Sequence, residues 1–269
     1  MILNVLNLGL VPYETALQLQ RTLMELRKAS RVENTLLLLE HPPVITLGRN
    51  AQVSNVLASP EFLAQRGVEL FDIDRGGDVT FHGPGQLVAY PIFDLRSFEP
   101  KLGAVEFVRR LEEVLIRTCG DFGIATQRIQ GLTGVWTYAL RSKPEAKIAA
   151  LGVHISRGVT THGFALNVGT DLDFFSLIVP CGLTNKLVTS MERELQKRLT
   201  LEEVATAVSR NFGRVFHSRM LWLESLDDLL AQAAVVPKPE LAESPANQDT
   251  PARAPKELRN LHGNGDELA

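Results

Sequence analysis

The sequence predicts an α+β fold. Strand-like stretches outnumber helical ones, the two do not alternate strictly, and three segments carry an amphipathic helical stripe. Strict alternation would have pointed instead to a doubly wound parallel sheet.

Taken in order, the alternation of Ile2/Leu3, Val5/Leu6 and Leu8 suits a first strand. Tyr13 to Lys28 is a helix with Ala16, Leu19, Leu23 and Leu26 on one face. Thr35 to Glu40 holds four leucines and suits a strand buried on both faces. His41-Pro42-Pro43 stops it, and Val44 to Leu47 resumes the extended run. Val79 to Phe81 and Leu87 to Ile92 are strand-like. Leu102 to Cys119 is a second helix, its stripe running through Phe107, Val108, Leu111, Val114, Leu115 and Cys119. Gly120 stands where a left-handed C-terminal residue belongs. Leu132 to Tyr138, Lys147 to Ile155 and Gly163 to Val168 add strands. Thr200 and Glu203 form a capping box opening a third helix, with Val204, Val208, Phe212 and Val215 inward. From Pro237 onward the chain holds five of its 14 prolines and no aromatic residue. Such a segment buries too little apolar surface to offset its ordering entropy. The expected organisation is one folded domain, residues 1–234, and a disordered tail, residues 235–269.

The 269 residues carry 28 Lys+Arg against 31 Asp+Glu, a net charge of −3. This balance argues against a nucleic-acid binder that works by bulk electrostatics. The N-terminus lacks the basic region and cleavage site of a signal peptide, and no apolar run reaches the roughly 20 residues needed to span a bilayer. A cytoplasmic protein, bound neither to membrane nor to nucleic acid, is expected. Two cysteines, Cys119 and Cys181, cannot make a disulfide framework.

The densest glycine punctuation is Arg75-Gly76-Gly77-Asp78-Val79-Thr80-Phe81-His82-Gly83-Pro84-Gly85-Gln86. One reading is a hairpin with glycine turns at both ends. The other is a loop whose backbone N–H groups come close to a ligand. It fits neither a Walker A loop nor G-x-G-x-x-G.

Cys119 lies on an apolar helical stripe and reads as core filler. Cys181, in Val179-Pro180-Cys181-Gly182-Leu183, lies at a turn that can project a thiol into a cleft, beside N–H groups able to face an oxyanion. No spacing around it suits a metal. A nucleophilic thiol must lose its proton. His82, His154, His162 and Lys147 are candidate partners. Strict alternation puts Lys147 on the apolar face of its strand with Ala149, Leu151, Val153 and Ile155. A partly desolvated ammonium there can act as a base, whereas a strand-end lysine that snorkels to water would not. Ala149, Ala150 and Gly152 offer small residues against which a chain-like substrate can lie.

These segments together resemble the lipoate-protein octanoyltransferases, of the biotin and lipoate ligase superfamily. The resemblance runs through Glu40-His41-Pro42-Pro43-Val44 with Thr46-Leu47-Gly48, the Arg75 to Gln86 loop through Tyr90, Gly131 to Trp136, Lys147 to Val153, His162 to Asn167 and Pro180-Cys181-Gly182. It implies a mixed, mainly antiparallel sheet flanked by helices. It implies transfer of an octanoyl group from octanoyl-acyl carrier protein to a lysine of a lipoyl domain, in 2-oxoacid dehydrogenase complexes or the glycine cleavage H protein. Cys181 would form the octanoyl thioester, and Lys147 would lower the thiol pKa and shuttle the proton. Arg75, Gly76, Gly77, Asp78, Val79, Thr80, Phe81 and His82 would line the acyl site. So would Ala150, Leu151 and Gly152, and Gly163, Phe164 and Ala165. No cofactor or metal is implied. The first step exchanges one thioester for another and needs no ATP, and amide formation makes the second downhill.

The family pattern has an aromatic at Gly158 and another near Thr161; their loss here touches the channel wall or a surface turn. Backbone N–H groups near Cys181 and at Leu151-Gly152 are candidate oxyanion donors. Arg21, Arg27, Lys28 and Arg31 form a cluster that either meets an acidic carrier protein or is a solvated helix face. The rival readings are an ATP-dependent lipoate or biotin ligase, a non-catalytic acyl-binding protein and a cysteine hydrolase.

Overall fold

The structure, a computed structural model, describes residues 1–139, 144–179 and 187–235. In chain order its elements begin with β1 (Ile2–Leu10), α1 (Tyr13–Lys28), β2 (Thr35–Glu40) and β3 (Val44–Leu47). Next come α2 (Pro60–Gln65), β4 (Glu69–Asp72), β5 (Val79–His82), β6 (Gln86–Ile92) and α3 (Ala104–Asp121). The sheet region continues with β7 (Thr126–Ile129), β8 (Leu132–Thr137), β9 (Ala146–Ser156) and β10 (Val159–Asn167). The last elements are β11 (Leu187–Val188), α4 (Met191–Leu195), α5 (Leu201–Val215), β12 (Arg219–Trp222) and α6 (Leu226–Val235). The described residues fall within one unit, Met1–Lys238. The expected tail, residues 235–269, lies outside the described residues apart from Val235, which ends α6.

The large sheet runs β12-β1-β2-β6-β10-β9-β8-β7, with β11 added beside β9. β1 is parallel to both β12 and β2, and β11 is parallel to β9; the other pairings are antiparallel. The four leucines of β2 show why the sheet is covered twice. Leu36 and Leu38 pack with Phe107 and Leu111 of α3 and with Val204 and Phe212 of α5. Leu37 and Leu39 point the other way, toward Ala16 and Leu23 of α1. Each side chain of this size is worth roughly 1.5–3 kcal/mol when fully buried. α1 covers only part of its face, packing over β6 and β10. Beside it, across from β9 and the Gly163–Ala165 stretch of β10, lies a second sheet, β4-β3-β5.

The hairpin reading of the glycine-rich segment is thereby overturned. β5 pairs with β3 in the small sheet, and β6 pairs with β2 and β10 in the large one. Gly83-Pro84-Gly85 is the crossover between sheets, and Gly85 (φ 79°) is pressed against the Gly169 backbone. Its conformation lies in the left-handed region that glycine enters without steric penalty.

Two further expectations shift. α3 continues through Gly120 to Asp121, and Gly123 (φ 82°) takes the left-handed position. Arg27 is no surface cation. It is buried, and its Nε donates to Asn34 Oδ1 at 2.7 Å, while Lys28 bonds Glu25 and Ser156. The absent aromatic at position 158 also has a cause. Arg157 (φ 50°) and Gly158 (φ 85°) are the two central residues of the tight turn joining β9 to β10. Two positive φ values suit the twist of a two-residue hairpin. A Cβ on Gly158 would sit 2.8 Å from Arg96 Nε. Cys119 is buried, as its place on the helical stripe requires, and burial pushes its thiol up to about 12.

The capping box forms in full: Thr200 Oγ1 accepts from Glu203 N at 3.2 Å, and Glu203 Oε2 accepts from Thr200 N at 3.0 Å. Thr200→Ala should therefore cost about 1 kcal/mol. For a domain of this size that lowers Tm by roughly 2–4 °C. Calorimetry on the variant checks this, with a valine control at an uncapped exposed helix site.

Candidate active site

The cleft lies between the two sheets. One wall is the segment from Arg75 to His82, and its geometry is set by a buried arginine. Arg75 Nη2 donates to Thr46 O at 2.7 Å and to Thr46 Oγ1 at 2.9 Å, and Nη1 donates to Gly76 O at 3.1 Å. Gly76 N then donates to Val153 O on β9 at 3.1 Å. These bonds bring the glycines against the large sheet, and no side chain fits between. A Cβ on Gly152 would lie 2.7 Å from Gly76 O, and one on Gly48 would collide with Gly77 O.

The floor is the large sheet where its side chains are smallest. On β9 and β10, Ala150 faces Ala165 and Gly152 faces Gly163. The period of two puts all four on one face. They make a trough that continues to Val88 and Tyr90 of β6 and ends on Tyr13 of α1. The trough is narrow, with a free interior of about 50 Å³ in this structure. Strands lie about 4.8 Å apart, so crossing from β9 to β6 spans about 10 Å. An eight-carbon chain, seven bonds of about 1.5 Å in zigzag, is of similar length.

The far end of the trough is polar, and its histidines are hydrogen-bonded. His41 Nδ1–H donates to Val11 O at 2.7 Å, so its Nε2 accepts from the Tyr90 hydroxyl, also at 2.7 Å. His82 Nδ1–H donates to Gln86 Oε1 at 2.8 Å. Burial drives the His41 pKa down to about 4 and that of His82 to about 3, so both imidazoles are neutral. Burial raises the Tyr13 and Tyr90 hydroxyls above the usual tyrosine value. His162, with φ 55°, donates from Nε2 to Asp74 Oδ1 at 2.8 Å. That bond holds the Asp74 carboxyl down to about 2, and burial lowers His162. His154 also turns its Nε2 toward Asp74 and accepts at Nδ1 from Arg49.

Lys147 does not stand where strict alternation puts it. The pairing of β8 with β9 slips by one residue: Val135 faces Ala149, but Trp136 faces Lys147. Ile148 is the extra residue of a β-bulge, a device that re-aims side chains. Ile148 and Ala149 both enter the core under α3. Lys147 instead joins Ala150 and Ala165 along the cleft. It is only 8% exposed, and its Nζ lies 4.8 Å from the Trp136 ring centroid. A second, larger cavity also reaches Lys147, and it shares Gly77, Asp78, Leu151 and Gly152 with the trough. Lys147 is thus buried, yet borders connected space.

Of the residues anticipated along the cleft, Arg75, Gly77, Asp78, Thr80, His82, Ala150, Leu151, Gly152, Gly163, Phe164 and Ala165 line the trough. Gly76 lines the larger cavity. Val79 and Phe81 do not reach either one. They alternate with Thr80 and His82 on β5 and pack with Ile45 and Phe175 in the core of the small sheet. Cys181 lies outside the described residues. Sequence reasoning missed Tyr13, which begins a helix and carries no local signal, and Val88. It also missed a relay of amides. Gln86 Nε2 donates to Asn167 Oδ1 at 2.8 Å, Asn167 Nδ2 to Thr189 O at 3.0 Å, and Thr189 N to Lys147 O at 2.9 Å. No metal-binding cluster of His, Cys, Asp and Glu occurs among the described residues.

The family model described as Lipoyl protein ligase A/B catalytic domain matches residues 12–213. The chain belongs to this family. An octanoyltransferase from Koribacter versatilis is 64% identical over 260 residues, covering 97% of each chain. One from Acidobacterium capsulatum is 60% identical over 243 residues, covering 88% of this chain and 99% of that one. Among solved structures, the bi-partite lipoate protein ligase of Thermoplasma acidophilum aligns with a TM-score of 0.65 at 19% identity, covering 87% of this chain and 91% of its own. A lipoate-protein ligase A bound with ATP gives 0.65 at 18% identity, covering 87% and 93%. At such identities the structures show a common fold, the mixed sheet flanked by helices.

The neutral histidines make stability pH-dependent. His41, His82 and His162 hold pKa values below those of the unfolded chain, so the unfolded state binds more protons as pH falls below about 6.5. Their contribution is complete above about 6.5 and is lost on acidification toward their folded values. Urea midpoints should therefore fall between pH 7 and 5. Each histidine adds up to about 1.4 kcal/mol per pH unit. A His82→Gln variant should show a shallower slope, and an unchanged slope would show that His82 is not held neutral.

Proposed function

We propose that the chain is an octanoyltransferase of lipoate biosynthesis. It moves an octanoyl group from octanoyl-acyl carrier protein to a lysine of a lipoyl domain, through a thioester on Cys181 with Lys147 as the base. The observation that carries this reading is a buried lysine, swung by a bulge onto a trough of small residues about as long as an eight-carbon chain. High identity to proteins named octanoyltransferase over nearly the whole chain supports the transfer itself.

Cys181 falls between two anchored points. Val179 N donates to Asn55 O at 2.7 Å, and Asn55 Nδ2 bonds Asp78 on the cleft wall. The chain resumes at Leu187, beside Ala146, with Val188 beside Lys147.

In the first step Lys147, as the neutral amine, takes the Cys181 proton. The thiolate attacks the donor carbonyl, the carrier's sulfur leaves, and Lys147 returns the proton to it. In the second step the acceptor lysine, also as neutral amine, attacks the Cys181 thioester. An amide forms, the thiolate leaves, and the proton of the acceptor amine passes through Lys147 to Cys181. Backbone amides at Leu151–Gly152 border both cavities and are candidates to face the oxyanion. No step consumes a nucleotide. The lipoyl domains of 2-oxoacid dehydrogenase complexes and of the glycine cleavage H protein are the proposed acceptors. The cytoplasm, where thiols stay reduced, is the proposed compartment.

Intact-mass spectrometry after mixing with octanoyl-acyl carrier protein tests the reading. An octanoyl adduct should appear on the wild type and be absent from Cys181→Ser. Lys147→Ala should slow adduct formation by about 10²-fold or more. An adduct on Cys119, or a Cys181→Ala enzyme active with ATP and free octanoate, would overturn it. Release of free octanoate without an acceptor would indicate a hydrolase instead.

A further inference from the structure

A carboxylate on the far side of the sheet reaches toward Lys147 from behind. The Glu112 side chain, on α3, is 0% exposed. Its Oε2 accepts from Arg109 Nη1 at 2.7 Å and from Arg128 Nε at 3.1 Å, both arginines lying at the rim. Its Oε1 accepts from the backbone N–H of Gly134 on β8, at 3.2 Å. Gly134 is next to the residue where the β8–β9 pairing slips, and its φ of 134° is a conformation that glycine permits. A Cβ at Gly134 would stand 3.0 Å from Ala149 O and 3.1 Å from Lys147 Cε. The stem of Lys147 therefore lies against bare backbone at Gly134, and Trp136, two residues on, faces its Nζ.

We propose that Glu112 is a positioning residue for Lys147, acting through the Gly134 amide. A buried carboxylate is a costly way to close a helix–sheet contact, and an apolar side chain of similar volume would often serve as well. Its use here has a specific return. The two arginines compensate the charge on Oε2, and Oε1 pins the one stretch of β8 backbone that forms the wall behind the lysine. Without that bond, β8 is free to restore regular pairing with β9, which would return Lys147 to the phase of Ala149. The inference rests on Lys147 as the base, and deepens that reading.

The test is a double-mutant cycle on octanoyl transfer, read with the thermal midpoint of each protein. Glu112→Gln, which cannot satisfy both the arginines and Gly134, should lower kcat about tenfold or more and leave the donor KM within twofold. In a Lys147→Ala background the same change should have less than a twofold effect, because the group it positions is gone. Equal losses in both backgrounds, or no loss in either, would overturn the proposal. Glu112→Asp keeps a carboxylate for the arginines but withdraws it from Gly134, and should give the same pattern if the glutamine variant folds poorly. The second readout is spectroscopic. Trp136 and Trp222 are the two tryptophans, so a Trp222→Phe protein reports Trp136 alone. Its emission should shift in Glu112→Gln in the same direction as in Lys147→Met. Unchanged emission would also overturn the proposal. A Lys147→Ala enzyme with full activity would remove the base assignment, while the emission would still report whether Glu112 places the lysine.

Discussion

Side chains alternate along a strand, so one extra residue reverses the face of everything before it. Ile148 is that residue. Read without it, the strand that starts at Lys147 would send the lysine into the packed interface beneath α3, among Ala149, Val135 and Phe107. With it, the same strand delivers an amine to the cleft and keeps its own apolar residues in the core. The cleft is not an added loop structure but a phase change in the central sheet. Gly134 makes the change possible, because a side chain there would occupy the lysine's path.

The second constraint is smallness. A sheet face meant to be covered by a helix carries large residues, as β2 and β6 do under α1. Where β9 and β10 carry alanine and glycine, the Arg75–His82 wall closes in with its own glycines. The resulting space is long, narrow and largely apolar, and at its end His41 is hydrogen-bonded to Tyr90 and His82 to Gln86. A neutral His82 that donates to Gln86 does not compete for the substrate's carbonyl. Instead, through Gln86, Asn167 and Thr189, the wall is tied to the backbone of Lys147, so the two sides of the cleft are held in register.

Much of this was legible because local rules and tertiary context agreed. The helix from Tyr13 to Lys28, the strand of four leucines and the Thr200 capping box follow from period and cap chemistry, and the structure reproduces them. Where the reading failed, a non-local pairing had decided. Nothing within the glycine-rich segment says that β5 pairs with β3 and not with β6, since a turn residue does not reveal which sheet its strands join. Val79 and Phe81 were placed at the acyl site for the same reason: the motif was read as one unit, whereas a strand within it faces two ways. The bulge at Ile148 was invisible because its cause lies in β8, in a glycine held by a glutamate from α3. Glu112 sits on a helix whose apolar stripe does not explain it.

The fold alone does not choose a chemistry. A lipoate-protein ligase bound with ATP shares this architecture at 18% identity. The difference must lie in what the site presents to an acyl carbonyl. An adenylate is activated enough for an amine to attack it directly. A thioester donor needs no such activation, but it needs a second sulfur to receive the acyl group and a base to free that sulfur. In the proposed reaction Cys181 and Lys147 meet those two needs, and the lysine is held at the cleft by contacts that the apolar core does not require. A bulge, a bare glycine and a buried carboxylate all serve to keep one amine out of the phase its strand would otherwise give it. That is a stronger argument for Lys147 as the working base than its burial or its place in a motif.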